Sequence, residues 1–155
     1  MTSQTDAPTA ELLVARRQDE LPTWLDRDRL ARFLHDSLKP YEDAIPDIQR
    51  GLDYALSDDP GKGGFVVLAA AGERLLGALV MLDTGMSGYI PENLLLFVAV
   101  DPSTRGQGLG RRIIEHAVSR CDGAVKLHVE YDNPAKRLYE RIGFTSKYAE
   151  MRLAG

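Results

Sequence analysis

The chain has 155 residues, with 19 Lys and Arg against 23 Asp and Glu, a formal net charge of −4. With 44% apolar and 27% charged residues and a pI near 5.4, it has the make-up of one globular domain and is too apolar for intrinsic disorder. An acidic chain lacks the cationic surface that neutralises many phosphates, so nucleic acid is not an expected partner. Its single cysteine, Cys121, forms no internal disulfide and suits a reducing, cytoplasmic setting, and no cluster of Cys and His spaced for a metal is present. No apolar run, Leu94 to Val100 included, approaches the roughly 20 residues that span a bilayer, so no membrane partner is expected.

In chain order, residues 1–10 are expected to be a flexible tail and residues 11–155 a single domain. Glu11 to Arg17 reads as a strand. Pro22 to Leu38, with Leu30, Phe33, Leu34 and Leu38 on one face, reads as a helix. Pro46 to Ser57, with Ile48, Leu52, Ala55 and Leu56 at helical spacing, reads as another. A loop at Asp58 to Gly64 leads into two β-prone runs, Phe65 to Ala70 and Leu75 to Leu82, joined as a hairpin. Leu94 to Val100 has the unbroken apolar pattern of a strand buried on both faces at the sheet centre. A helix after Gly110, a strand at Ala124 to Glu130, a helix opened by Asn133 and Pro134 and ended by Gly143, and a last strand at Thr145 to Leu153 complete an α/β mixture.

Charge is uneven along the chain. Residues 1–60 hold seven basic and 13 acidic side chains, and residues 61–155 hold twelve and ten, so the two parts are built for different neighbours.

The segment with the most chemical content is Arg105-Gly106-Gln107-Gly108-Leu109-Gly110-Arg111-Arg112. Alternating glycines between a strand and a helix let the backbone approach a ligand, and free N–H groups in the helix's first turn favour an anion such as a pyrophosphate. A nucleoside-triphosphate loop is excluded, because no Gly-x-x-x-x-Gly-Lys-Ser/Thr run exists. A dinucleotide fingerprint meets Arg111 where its third glycine belongs, although Glu130 lies about 20 residues on, at the distance such a fingerprint places its acidic residue. A turn that merely starts a helix is the third reading.

This segment and its context resemble the GNAT superfamily of acetyl-CoA-dependent N-acetyltransferases. Arg105 to Gly110 is similar to the family's Arg/Gln-x-x-Gly-x-Gly/Ala loop at every fixed position, and Val98-Ala99-Val100-Asp101-Pro102 is similar to the end of its central strand. A second motif, Asn133-x-Ala135-x-x-x-Tyr139-x-x-x-Gly143-Phe144, is equally similar. The resemblance is strong over about residues 64–153. It implies a mixed, mostly antiparallel sheet of about six or seven strands flanked by about four helices, with acetyl-CoA as cosubstrate and no metal.

Carried over by position, the resemblance puts the backbone of Val98, Ala99 and Val100 against the pantetheine arm. Arg105, Gly106, Gln107, Gly108, Leu109, Gly110 and Arg111 hold the pyrophosphate, and Asn133, Ala135 and Lys136 lie beside the cofactor. Tyr139 becomes the acid that protonates the departing thiolate, a role its place on an apolar stripe with Ala135 and Ile142 leaves open to a core reading. The family's glutamate on the central strand falls at Leu94 here, so Glu92, two residues earlier and on the same face, is the nearest candidate base, with a water wire to Asp83 or Glu130 as the other route. His128, between Leu127 and Val129 and so pointing to the opposite face from both, reads as a hydrogen-bonded structural histidine ahead of a catalytic one. The implied activity is acetyl transfer to a primary amine, cationic in view of the acidic residues Asp36, Glu42, Asp43 and Asp47. A protein N-terminal or lysine acceptor and a catalytically silent acyl-CoA-binding module are the alternatives, and the implied state is monomer or homodimer.

Overall fold

The computed structural model describes residues 9–155. The expected tail falls on residues 1–8, outside the described ones, and on Thr9 and Ala10. Ala10 is buried, and its carbonyl accepts from Arg112 Nη2 at 3.2 Å.

Five strands form one sheet in the order β1 (Glu11–Ala15), β2 (Gly64–Ala71), β3 (Arg74–Asp83), β4 (Asn93–Val100), β5 (Val125–Leu127). The first three pairings are antiparallel and β4 with β5 is parallel. Helices α1 (Arg27–Leu38) and α2 (Ile45–Ala55) cover one face, and α3 (Leu109–Ser119) and α4 (Ala135–Ile142) the other. Among the described residues no helix is long and apolar enough to cross a membrane.

Local chemistry sets the boundaries. Asp26 accepts from the N–H of Arg29 at 2.7 Å and so starts α1 at Arg27, later than the expected Pro22, because the preceding residues fold into a turn closed by Leu25 N–H on Pro22 O. Pro46 sits in the first turn of α2 and needs no N–H there. Leu30, Ala31 and Leu34 of α1 and Ile48, Leu52 and Ala55 of α2 pack on Val66, Leu68, Ala78 and Val80. On the opposite face Leu109, Ile113, Ile114 and Ala117 of α3 pack on Phe65, Val67, Leu79 and Met81.

Three expectations are corrected. The central, continuously buried strand is β3, with β2 beside it, and β4 alternates between buried and half-buried residues. The reason is topological: β4 lies next to the edge of the sheet, covered on its outer side by only the three-residue β5. The strand at Ala124 to Glu130 shrinks to Val125–Leu127, because its pairing with β4 ends at Leu127 opposite Leu95. The sheet has five strands rather than six or seven, because Thr145 to Leu153 joins no ladder and leaves Tyr148, Met151 and Leu153 exposed. An alternating pattern gives strand propensity, but a strand exists only where a neighbour accepts its hydrogen bonds.

One irregularity shapes everything around it. Val80 pairs with Phe97 and Met81 with Leu95, so Leu96 is an extra residue on β4, a β-bulge. The alternation of faces breaks there, and Leu96 and Phe97 both pack on the α1 and α2 side. Gly51 of α2 lies directly over them: a Cβ at that position would stand 2.5 Å from Leu96 Cδ2 and 3.1 Å from Phe97 Cε2. Gly51→Val is therefore expected to cost about 1–3 kcal/mol by overpacking, lowering the calorimetric unfolding midpoint by roughly 3–10 °C. An unchanged midpoint would contradict the close approach.

Candidate active site

β4 and β5 pair only over Asn93 to Leu95 against Val125 to Leu127. Beyond that point the two chains part, and a cleft opens between Leu95 to Val98 on one wall and Leu127 to Glu130 on the other. Leu38, Tyr41 and Asp43 from the end of α1 and the loop after it, with Asn133 and Tyr139, complete the lining. The parting starts at the bulge, which bends and twists β4 away from its neighbour.

The opposite end of this strand pair is fastened by polar contacts. Asn93, buried, donates through Nδ2 to the carbonyls of Asp122 at 2.7 Å and Ala124 at 3.1 Å. The Glu92 carboxylate accepts from Ala124 N–H at 3.0 Å, a bond that, followed by one from its own N–H, holds it below the usual glutamate range. Glu92 lines a different cavity, with Arg16, Asp83, Arg120 and Cys121. The structure thus separates Glu92 from Tyr139 and does not bring Asp83 to the cleft. Cys121 is half-buried, and burial pushes its thiol up to about 11, which leaves it unreactive.

The glycine loop lies at the far end of β4. Gly106 and Gly108 have φ of 79° and 81°, the left-handed region, and Gly108 is the residue before the first turn of α3. A Cβ at either would meet open space, so what these positions require of glycine is the backbone turn that aims the N–H groups of Leu109, Gly110 and Arg111 outward. The first-turn amides and the open flank of Val98 to Val100 fit an extended phosphate-bearing ligand.

Arg105 is otherwise engaged: Nε donates to Val100 O at 3.3 Å and Nη2 donates to Ser37 O, tying the loop to the end of α1. Arg111 pairs with Glu115 at 3.0 Å on the exposed face of α3. Gln107 is exposed, and Leu109 is buried in the core. Lys136, at the start of α4, pairs with Glu140 at 3.0 Å.

Tyr139 packs edge-on against Phe144, with ring centroids 6.0 Å apart at 70°. Burial first, and then the charge of Glu130, push its phenol up to about 12. Asn133 links this region internally: its Oδ1 accepts from Ala135 N–H at 2.9 Å, opening α4, and its Nδ2 donates to Glu130 Oε1 at 3.0 Å.

Residues beyond the expected catalytic and cofactor-binding ones also line the cleft, among them Asp43 of the acidic group expected on the acceptor side. The Tyr41 hydroxyl donates across it to Asp132 O at 3.1 Å. Asp43 is raised above the usual carboxylate range, by withdrawal from water and then by Glu130 and Asp47, against the opposing charge of Arg152. His128 is exposed and faces the cleft rather than being held by hydrogen bonds in the core, because the ladder that would have enclosed it ends one residue earlier. Its alternation with Leu127 was the available signal.

Comparison with known proteins gives the family and the fold. The sequence model of the acetyltransferase (GNAT) domain matches residues 62–146, and the chain belongs to the GNAT family. A mycothiol acetyltransferase of Catenulispora acidiphila is 39% identical over 74 residues, a match that spans 44% of this chain and 24% of that protein. The N-alpha-acetyltransferase 40 of Saccharomyces cerevisiae is 32% identical over 133 residues, 75% of this chain and 45% of its own length. Among solved structures, a possible acetyltransferase from Clostridium difficile superposes with a TM-score of 0.65 at 19% identity, covering 95% of this chain and 97% of that one. An aminoglycoside N-acetyltransferase in complex with CoA gives 0.64 at 11% identity, covering 94% and 95%.

The contacts of Glu92 make a pH prediction. Its carboxyl is held below the ordinary value, so its stabilising contribution is full above the unfolded-state value of about 4.3 and is lost as pH falls through the lowered one. Glu92→Gln is expected to unfold at a lower temperature than wild type at pH 7, with the gap closing below about pH 4 in a calorimetric series.

Proposed function

We propose that the protein transfers an acetyl group from acetyl-CoA to a primary amine by direct attack in a ternary complex. The observation that carries this reading is the opening of the sheet at the bulge: the cleft lined by Leu95 to Val98 and Tyr139 lies beside the flank of β4 left unpaired beyond Leu95, the strand that runs on to the glycine loop. Acetyl-CoA supplies an activated acyl carbon on a thiolate leaving group. The chain's share is to bind, orient and move protons.

The amides of Leu109, Gly110 and Arg111 at the start of α3 are the donors for the pyrophosphate, with the helix dipole favouring negative charge there. Arg111 adds charge on the same rim. Arg105 acts from within, by fixing the loop on Val100 and Ser37. Backbone groups of Val98 to Val100 continue the sheet through the pantetheine arm, and Ala135 and Lys136 flank it at the start of α4. Backbone N–H groups between Val98 and Val100 are positioned to stabilise negative charge on the acyl oxygen.

Tyr139 is the acid. Burial keeps its phenol protonated through the neutral range, so it is present as a hydrogen-bond donor to the sulfur as negative charge develops there. Glu92, tied to Ala124 N–H outside the cleft, contributes to the join between β4 and β5.

The acceptor enters past Tyr41 and Asp43. Asp43, Glu130 and the neighbouring Asp47 give this mouth negative charge, which favours a small cationic amine or amino-acid-like acceptor. The N-terminal amine of a protein is the second reading, favoured by relatives such as the yeast N-alpha-acetyltransferase and a ribosomal protein bS18-alanine N-acetyltransferase of Salmonella typhimurium, 33% identical over 84 residues, 47% of this chain and 57% of that one.

The direct test is thermal unfolding with acetyl-CoA, CoA, NAD and ATP in parallel. Acetyl-CoA and CoA at about 100 times their dissociation constants are expected to add roughly 2.7 kcal/mol, or about 5–10 °C, and NAD and ATP nothing. No shift with either CoA species would overturn the reading. Tyr139→Phe is expected to keep that shift while kcat falls by about 10²- to 10⁴-fold, and unchanged turnover would remove Tyr139 from the acid role.

A further inference from the structure

We infer that His128 is the base that takes the proton of the acceptor's ammonium group, working from the α1 and α2 side of the sheet while Tyr139 works from the α3 and α4 side. The inference rests on the acetyl-transfer reading above and adds the group that reading lacks, because Glu92 lies outside the cleft.

The argument begins with the strand. Leu127 is the last paired residue of β5, and its side chain joins the apolar cluster under α3 and α4. His128, the next residue, points to the opposite face. That is the face on which Leu96 and Phe97 lie, the two β4 residues turned to the same side by the bulge. The imidazole therefore stands where the strands part, across the gap from the bulge. Tyr139 belongs with Leu127 to the other cluster and reaches the same gap from behind. An acyl carbon held in the gap would have one proton carrier for the incoming nitrogen and one for the departing sulfur.

The chemistry selects the same residue. An alkylammonium of pKa about 10.4 lies about six pKa units above an ordinary carboxylic acid and about four above an imidazolium, so transfer to imidazole is about 100-fold less unfavourable. His128 is also free to act: it makes no hydrogen bond or ion pair among the described residues, unlike His35, whose Nδ1 lies 2.9 Å from Asp36 Oδ1. The titratable and charged groups around it are Tyr41 and Asp43 from the loop after α1, Lys126 and Glu130 from its own strand segment, and Tyr139 from α4. The β4 wall, Leu95 to Val98, presents only apolar side chains. Asp43 and Glu130 supply negative charge for the incoming ammonium and then for the imidazolium.

The step balances as follows. One N–H bond of the ammonium breaks and its proton passes to an unprotonated ring nitrogen of His128. The freed nitrogen lone pair forms the C–N bond to the acyl carbon. The C–S bond breaks with its electron pair on sulfur, which takes the Tyr139 proton. The further proton that nitrogen loses as the amide forms returns to the Tyr139 oxygen, and His128 releases its proton to water.

The test is the pH dependence of acetyl transfer between pH 5.5 and 9.5. The acceptors are 1,4-diaminobutane and a tetrapeptide beginning with alanine, and wild type is compared with His128→Asn and His128→Glu. Wild type is expected to lose activity on the acid side, in a limb that depends on His128. His128→Asn is expected to lose at least 100-fold in kcat at pH 7 and to have no such limb, its rate rising with pH as the amine loses its own proton. His128→Glu is expected to recover part of kcat with the limb displaced to lower pH, a result that a purely structural histidine would not give. The thermal shift with acetyl-CoA is expected to be the same in all three, which separates this role from cofactor binding and confirms folding. A limb and kcat unchanged in His128→Asn would overturn the assignment and leave the acetyltransferase reading standing. Binding of acetyl-CoA without turnover of either amine by wild type would overturn both.

Discussion

Leu96 has no partner on β3, and the consequences of that one extra residue run through the molecule. A strand pair with an inserted residue must bend, and here the bend falls at the point where β4 leaves β5. At one end the strands are locked by Asn93 and Glu92 on the turn before β5, so the departure can open only toward the glycine loop. Helix α2 accommodates the two side chains the bulge turns toward it by presenting Gly51, and the sheet is rigid on the other side because β2 and β3 are buried along nearly their whole length. The gap is therefore part of the native sheet.

The cleft has different surroundings on the two faces of the sheet. On the α1 and α2 side it is bordered by Tyr41, Asp43 and His128, which are polar and acidic in sum. On the α3 and α4 side it is bordered by the apolar packing of Leu127, Leu138, Tyr139 and Phe144, with the amides of α3 farther along. A cation and a phosphate-bearing thioester would thus approach from surroundings of suitable sign and polarity. The uneven charge of the chain, acidic in residues 1–60 and slightly basic beyond, is the same division seen along the sequence.

What could be read before folding was whatever is local. The glycine loop depends on Gly106 and Gly108 and on the strand and helix that flank them, all within a dozen residues, and the start and end of α4 depend on Asn133 and Gly143 in the same way. The bulge was hidden because Leu94, Leu95 and Leu96 are chemically identical, so nothing marks which one is extra. The length of β5 was hidden because its end is set by that bulge on another strand. The position of Glu92 followed strict alternation, but a carboxylate on a flexible stem reached a backbone N–H of the neighbouring turn. For His128 the parity was right, while the cover that would have made it structural was absent because Leu127 is the last residue with a partner.

Arg105 joins three places that are far apart along the chain: the carbonyl of Val100 at the end of β4, the carbonyl of Ser37 in the last turn of α1, and its own glycine loop. Leu109, Ile113, Ile114 and Ala117 anchor the helix that follows. The outward amides of that first turn are thus held by contacts made during folding. The entropy of ordering them is already lost before any anion arrives, and a ligand that meets donors fixed in place keeps more of its contact energy as residence time.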